Sequence, residues 1–201
     1  MITSETPSQV LDFEGGFGLL LLIGAAALLL ILIVWRLIVL RKRRIRKQLD
    51  PRRITIKDID GMLDGSDFER YLHRLFTELG YEDVYKTNTS GDFGADLIFA
   101  DRYGERTVLQ AKRYSPSNPV GLSAVQEVYG SMRVYGAQRA IVLTSGRYTA
   151  ACRKLAAYNG VVLLDREDLE QIMDYFKSKQ LEAAMETIER EAEEAPKQLQ
   201  T

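Results

Sequence analysis

Hydrophobic and polar positions divide this chain into two unlike parts. Residues 15–35 carry no charge and are dominated by Leu, Ile and Ala. At a rise of ~1.5 Å per residue, such a run matches the ~30 Å hydrocarbon core of a bilayer. Residues 37–40 extend it, with Arg36 able to snorkel towards headgroups, so a transmembrane helix is predicted over residues 15–40. A cleaved signal peptide fits less well. The leader, residues 1–14, carries Glu5, Asp12 and Glu14 in place of a basic region, and a cut near Ala25–Ala27 would fall inside the apolar run.

Beyond residue 50 the pattern is that of a globular domain over residues 63–176, reached through a linker (41–62) with little periodicity. Phe68, Leu72, Leu75, Phe76 and Leu79 recur at helical spacing, starting from Ser66, and Gly80 follows as a stop. Next come an extended segment (84–89), a turn (90–94), a strand (95–100), a tight turn at Arg102-Tyr103-Gly104 and a second strand (106–114). Pro116 and Pro119 mark a loop. A helix (122–135) ends at Gly136, and a strand (140–144) runs into a Ser145-Gly146 turn. A helix (149–159) stops at Gly160, and after a last strand (161–164) Asp165 caps a helix reaching Phe176. That order predicts an α/β domain, a mixed β-sheet flanked by helices on both faces, preceded by one transmembrane helix. Residues 177–201 are Glu-rich but keep Leu181, Met185, Ile188 and Ala192 at helical spacing, which predicts an acidic amphipathic tail helix.

Charge adds an orientation. Residues 1–35 hold no Lys or Arg, whereas 36–53 hold nine. By the positive-inside rule the N-terminus lies outside, the domain is cytoplasmic and the protein sits in the plasma (inner) membrane. The basic cluster 41–47 then reads as a contact with anionic lipid, not nucleic acid. Residues 54–166 balance at 14 basic against 14 acidic, so any contact with a polyanion is local. One histidine, His73, and one cysteine, Cys152, exclude an intrachain disulfide, zinc sites built from Cys and His, and hydrolases that need two histidines. Chemistry must run on carboxylates, amides, lysines and a hard metal, with no small-molecule cofactor.

One constellation offers that chemistry. Gln110 and Lys112 lie two apart on a strand and so project from one face. Asp96 joins them only if the hairpin loop has an odd number of residues. Arg102-Tyr103-Gly104 offers a three-residue loop closed by a glycine in the left-handed region. That register pairs Asp101 with Glu105 and Asp96 with Gln110, leaving Lys112 on the diagonal. Two side-chain oxygens so placed can converge on Mg²⁺ or Mn²⁺, with the lysine near a metal-bound water. Glu69 has a competing structural reading: Ser66-Asp67-Phe68-Glu69 is a capping box, with Ser66 at the N-cap. Asp92-Phe93-Gly94 without a phosphate loop is only a turn.

These residues resemble the core of the PD-(D/E)xK nuclease superfamily, in its Mrr-like restriction endonuclease branch. The runs that carry the likeness are Gly91-Asp92-Phe93-Gly94-Ala95-Asp96-Leu97-Ile98, Val108-Leu109-Gln110-Ala111-Lys112-Arg113 and Ala140-Ile141-Val142-Leu143-Thr144-Ser145-Gly146. The resemblance extends from about Asp67 to Leu169. It implies that Asp96 and Gln110 bind the metal, Lys112 is the catalytic lysine and Glu69 supports the site. Gln110 stands where other branches hold Asp or Glu. The resemblance further implies Mg²⁺-dependent hydrolysis of double-stranded DNA, in defence against foreign or modified DNA. Lys86, Arg113, Tyr114 and Arg147 are the candidate DNA contacts. Cutting both strands of a duplex calls for two active sites, which suits a homodimer. The rival reading is a catalytically inactive, membrane-tethered DNA-binding or assembly module of the same fold.

Overall fold

The computed structural model describes residues 13–62, 64–87, 93–115 and 117–195. The chain divides after Lys47 into two units. In the first, helix α1 covers Phe13–Gln48. Its side chains are described without a break over residues 22–38, and all of these are exposed. Arg36 lies within that stretch. Among the described residues no helix is long and apolar enough to cross a membrane. The expected transmembrane helix over residues 15–40, its contact with a lipid bilayer and the plasma-membrane placement are corrected accordingly. Residues 1–12 and the side chains at 41–47, on which the orientation argument drew, lie outside the described residues.

The second unit begins with α2 (Ile56–Asp60), where the sequence pattern suggested only a linker. Five residues are too few to display a hydrophobic period. What starts this helix is a cap: the Asp58 N–H donates to Thr55 Oγ1, and Asp58 Oδ2 accepts the Thr55 N–H at 2.8 Å. Helix α3 (Gly65–Leu79) is capped by Asp64, whose Oδ1 accepts the Asp67 N–H at 3.0 Å. Ser66 therefore lies inside the helix, and the expected capping box with Glu69 does not form.

Five strands follow: β1 (Glu82–Lys86), β2 (Leu97–Ala100), β3 (Arg106–Lys112), β4 (Arg139–Thr144) and β5 (Val162–Leu164). They form one mixed sheet in sequential order, antiparallel across β1–β2–β3 and parallel across β3–β4–β5. The parallel steps require crossovers, supplied by α4 (Ser123–Tyr135) and α5 (Ala150–Asn159). Helix α6 (Arg166–Lys177), capped by Asp165, and α7 (Leu181–Ile188) close the chain. The tail helix is thus shorter than the expected amphipathic stretch, and residues 196–201 lie outside the described residues.

Alternation along β2 and β3 sorts the two faces. Phe99 meets Phe76 of α3 edge-on at 5.0 Å, so Leu97, Phe99 and Leu109 belong to the α3 face. Val108, Ala140 and Val142 pack with Val125 and Val128 of α4 and Cys152 of α5 on the other. Gln110 and Lys112, in step with Val108, lie on that α4/α5 face.

Candidate active site

The β2–β3 hairpin sets the register of the site. Its loop is Arg102-Tyr103-Gly104, with Gly104 at φ +79° and its N–H donating to Asp101 O at 3.0 Å. Asp101 carboxylate oxygen Oδ1 accepts the N–H groups of Tyr103 (2.9 Å) and Glu105 (2.8 Å), holding the turn closed. The ladder then pairs Ala100 with Arg106, Ile98 with Val108 and Leu97 with Leu109. The next pair along that register is Asp96 with Gln110.

At Asp96 the ladder ends and the side chain takes over. The Asp96 N–H donates to Leu109 O at 2.8 Å, while Asp96 Oδ2 accepts the backbone N–H of Ala111 at 2.7 Å. The same Oδ2 accepts Gln110 Nε2 at 2.7 Å. On the other flank, Thr87 donates its N–H to Asp96 O and its hydroxyl to Ala95 O, which ties the end of β1 to the residues leading into β2. Asp96 and Gln110 are both buried, at 7% and 6% exposure. The remaining amide oxygen, Gln110 Oε1, is buried and has no hydrogen-bond partner among the described residues. Leaving such an acceptor unmatched costs about 1–3 kcal/mol, so the arrangement is poised to receive a donor or a cation there.

Lys112, one step along the same strand face, extends its Nζ to Glu127 Oε2 of α4 at 2.8 Å. The backbone at Lys112 is gripped from β4: its carbonyl accepts Thr144 Oγ1 at 2.6 Å and the Ser145 N–H at 3.2 Å. Ser145 Oγ accepts the Tyr114 N–H at 3.1 Å. Gly146 passes so near this strand that a Cβ would come within 3.1 Å of Tyr114 O and 3.3 Å of Ser115 O. The Thr144-Ser145-Gly146 turn thus clamps the strand end that carries the lysine.

Of the sequence-predicted residues, the structure brings Asp96 and Gln110 into contact, and puts Lys112 two residues along the strand from Gln110 with its amine on Glu127. Glu69 meets Lys86 instead, Oε2 to Nζ at 2.8 Å, and Lys86 stands opposite Leu97 on the α3 face. Arg113, Tyr114 and Arg147 gather where β3 and β4 end; Arg147 is exposed and Arg113 half-buried. Nearby, Arg166 forms a two-pronged pair with Asp60, 2.8 Å at each nitrogen, and holds that carboxyl below its ordinary range. His73 donates Nε2 to Val84 O at 3.2 Å and plays no part in this site. Sequence reading missed Glu127 and Thr144. Each contacts Lys112 only through tertiary pairing, so no local spacing announces it.

Two oxygens, Asp96 carboxylate and Gln110 Oε1, suit a hard divalent cation of the Mg²⁺ kind, which binds through one or two carboxylates and otherwise keeps its waters. Among the described residues no group of three His, Cys, Asp or Glu side chains could form a fuller cage.

A family model for restriction endonucleases, of the Mrr catalytic type, matches residues 61–173. No curated protein matches the chain. Three solved structures are similar to it. AF1548, described as a protein of unknown function, is 20% identical, with a TM-score of 0.41 over 49% of this chain and 56% of its own. The DNA modification-dependent restriction endonuclease AspBHI is 18% identical (TM-score 0.48; 71% of this chain, 41% of its own). The MspJI restriction endonuclease, solved in complex with a 27-mer oligonucleotide, is 19% identical (TM-score 0.45; 68% of this chain, 35% of its own). The chain therefore spans between about a third and just over half the length of these proteins.

Proposed function

Because this chain belongs to the Mrr-type restriction endonuclease family, we propose that it hydrolyses phosphodiester bonds in DNA with a divalent cation, Mg²⁺ or Mn²⁺, held at Asp96 and Gln110. The observation that carries this reading is the buried, unmatched Gln110 Oε1 beside an Asp96 carboxylate oriented by two N–H donors.

A cation bound there supplies Lewis acidity and neutralises charge on the phosphate. The protein supplies the rest. Asp96 is the charged ligand, and its Oδ2 is fixed by the Ala111 backbone, so it is aimed before substrate arrives. Gln110 contributes an oxygen without adding a second charge, which limits repulsion at the buried pair. Lys112, projecting from the same strand face as Gln110, would offer its ammonium to an attacking water or a phosphate oxygen, and the clamp from Thr144 and Ser145 keeps its strand in place. Glu69, paired with Lys86 on the α3 face of the sheet, stands apart from this cluster and is given no part in it. Arg113, Tyr114 and Arg147, near the ends of β3 and β4, are in this reading the contacts to the DNA backbone. Double-stranded DNA, foreign or modified, is the proposed substrate, and a homodimer would furnish one site per strand.

The test uses the purified full chain with supercoiled plasmid, linear duplex, branched DNA and RNA, each with Mg²⁺, Mn²⁺ or EDTA. Cation-dependent cutting of duplex DNA, abolished by Asp96→Ala and by Lys112→Ala, is the expected result. Binding without cutting under every condition would replace the enzyme with an inert DNA-binding module, and cutting of RNA or branched DNA alone would replace the substrate.

A further inference from the structure

The Lys112 amine is held. Its Nζ lies 2.8 Å from Glu127 Oε2, the lysine side chain 22% exposed and the glutamate 44%. An ion pair this wet adds little to stability. Its consequence is conformational: lysine is a point charge on a flexible four-carbon stem, and one partner at hydrogen-bond distance selects where the charge sits.

Glu127 is itself located by the turn that leads to Asp96. Gly94 has φ +91°, and a Cβ there would lie 2.6 Å from Glu127 O, 2.7 Å from its carbonyl carbon and 2.8 Å from its Cβ. The missing side chain lets the turn press directly on the α4 backbone at this residue. Two residues later the Asp96 carboxylate engages Gln110 and Ala111, and Lys112 follows on the same strand. Turn, helix and strand end are thus locked together around three side chains, Asp96, Lys112 and Glu127.

A carboxylate beside the lysine opposes DNA binding, because it offsets the positive charge that a phosphate would seek. If Lys112 served only to attract DNA, Glu127 would be a handicap. We infer that Glu127 is a positioning residue: it holds the Lys112 ammonium on the α4 side of the sheet next to Asp96 and Gln110, at the expense of DNA affinity. This role rests on the nuclease reading above.

The two effects have opposite signs, and that makes the inference testable in the full chain. Glu127→Gln keeps the size and removes the charge. Equilibrium binding to a duplex without divalent cation should tighten about 2- to 5-fold at low salt, while single-turnover cleavage slows about 10- to 100-fold. Glu127→Asp should recover part of the rate. A second readout needs no activity: with an amine-selective reagent followed by mass spectrometry, labelling of Lys112 should rise several-fold in Glu127→Gln, while Lys154, exposed on α5, is unchanged. Unchanged Lys112 labelling, cleavage at the wild-type rate, or faster cleavage in Glu127→Gln would each overturn the role of Glu127 while leaving the nuclease reading standing. A wild-type chain that cuts no nucleic acid removes the nuclease reading, and the positioning role with it.

Discussion

Gln110 Nε2 donates to Asp96 Oδ2 across 2.7 Å, and the N–H of the very next residue, Ala111, donates to the same oxygen at the same distance. One carboxylate oxygen is thereby saturated from β3, and the amide that helps saturate it leaves its own oxygen buried and unmatched. A site that is partly unsatisfied in this way should respond to what is put into it.

Gln110→Glu should separate the roles of charge and shape at this spot. Without a divalent cation the variant loses a donated hydrogen bond and gains a like charge, a loss of about 1–3 kcal/mol. With Mg²⁺ the second carboxylate should raise cation affinity by about 10-fold or more, which shows as a larger cation-induced rise in Tm. Thermal unfolding in EDTA and across a Mg²⁺ titration reads both. A variant indifferent to Mg²⁺ would speak against a cation at this pair.

Gly94 and Gly104 both have positive φ, but only Gly94 is crowded: nothing lies within 4 Å of a Cβ at Gly104. Gly104→Ala should therefore cost only the backbone strain, about 1 kcal/mol. Gly94→Ala should cost about 1–3 kcal/mol more, from the collision with α4, and should impair cleavage because that collision displaces Glu127. Denaturant midpoints for the two variants give the comparison, and equal costs would show that the turn does not brace the helix.

Burial pushes the Cys152 thiol up from 9.0 to about 11. Its neutral form is therefore favoured by folding. That stabilisation is complete below pH 9 and disappears as the pH climbs from about 9 to about 11. Cys152→Ala, whatever its overall stability, should lose less stability than the wild type across that interval. The slope does not vanish, because the fully buried Tyr148 hydroxyl is also raised. Native protein at neutral pH should resist thiol alkylation until it unfolds.

The residues after α7 staple the chain end to the sheet. Glu189, with a side chain only 4% exposed, accepts Arg102 Nε at 2.6 Å and the Arg102 N–H at 3.1 Å. Arg139 donates to the carbonyls of Glu189 and Arg190, and Arg190 pairs with Asp168. Glu189→Ala should lower stability by about 1–3 kcal/mol and leave cleavage intact, since none of these groups touches Asp96, Gln110 or Lys112. A shifted denaturant midpoint at unchanged m-value is the measurement.

Helix caps supply a direct check on where α3 begins. Asp64→Ala should cost about 1 kcal/mol, whereas Ser66→Ala should stay within about 0.5 kcal/mol of wild type. The reverse ranking would restore the start of the helix to Ser66.

The order of elements in the α/β domain, its mixed sheet and the opposition of Asp96 to Gln110 were legible in the sequence, because each depends on short-range facts. Period-3.6 stripes mark α3 and α6, and a three-residue loop with glycine in the left-handed position sets the register of a hairpin whose two site residues are close along the chain. Other features needed the assembled molecule. The capping of α3 by Asp64 was a choice among neighbouring acidic and hydroxyl residues that spacing does not rank, and α2 was too short to show a period. The long uncharged run at the N-terminus suggested a membrane span on composition alone, and among the described residues no helix is long and apolar enough to be one. Glu127 reaches Lys112, and Thr144 grips its carbonyl, only because β4 lies parallel to β3 and α4 packs across them. Local sequence determines which face a side chain points from; which distant group it meets there is decided by how the layers pack, because that contact is made between segments whose separation along the chain carries no spacing signal.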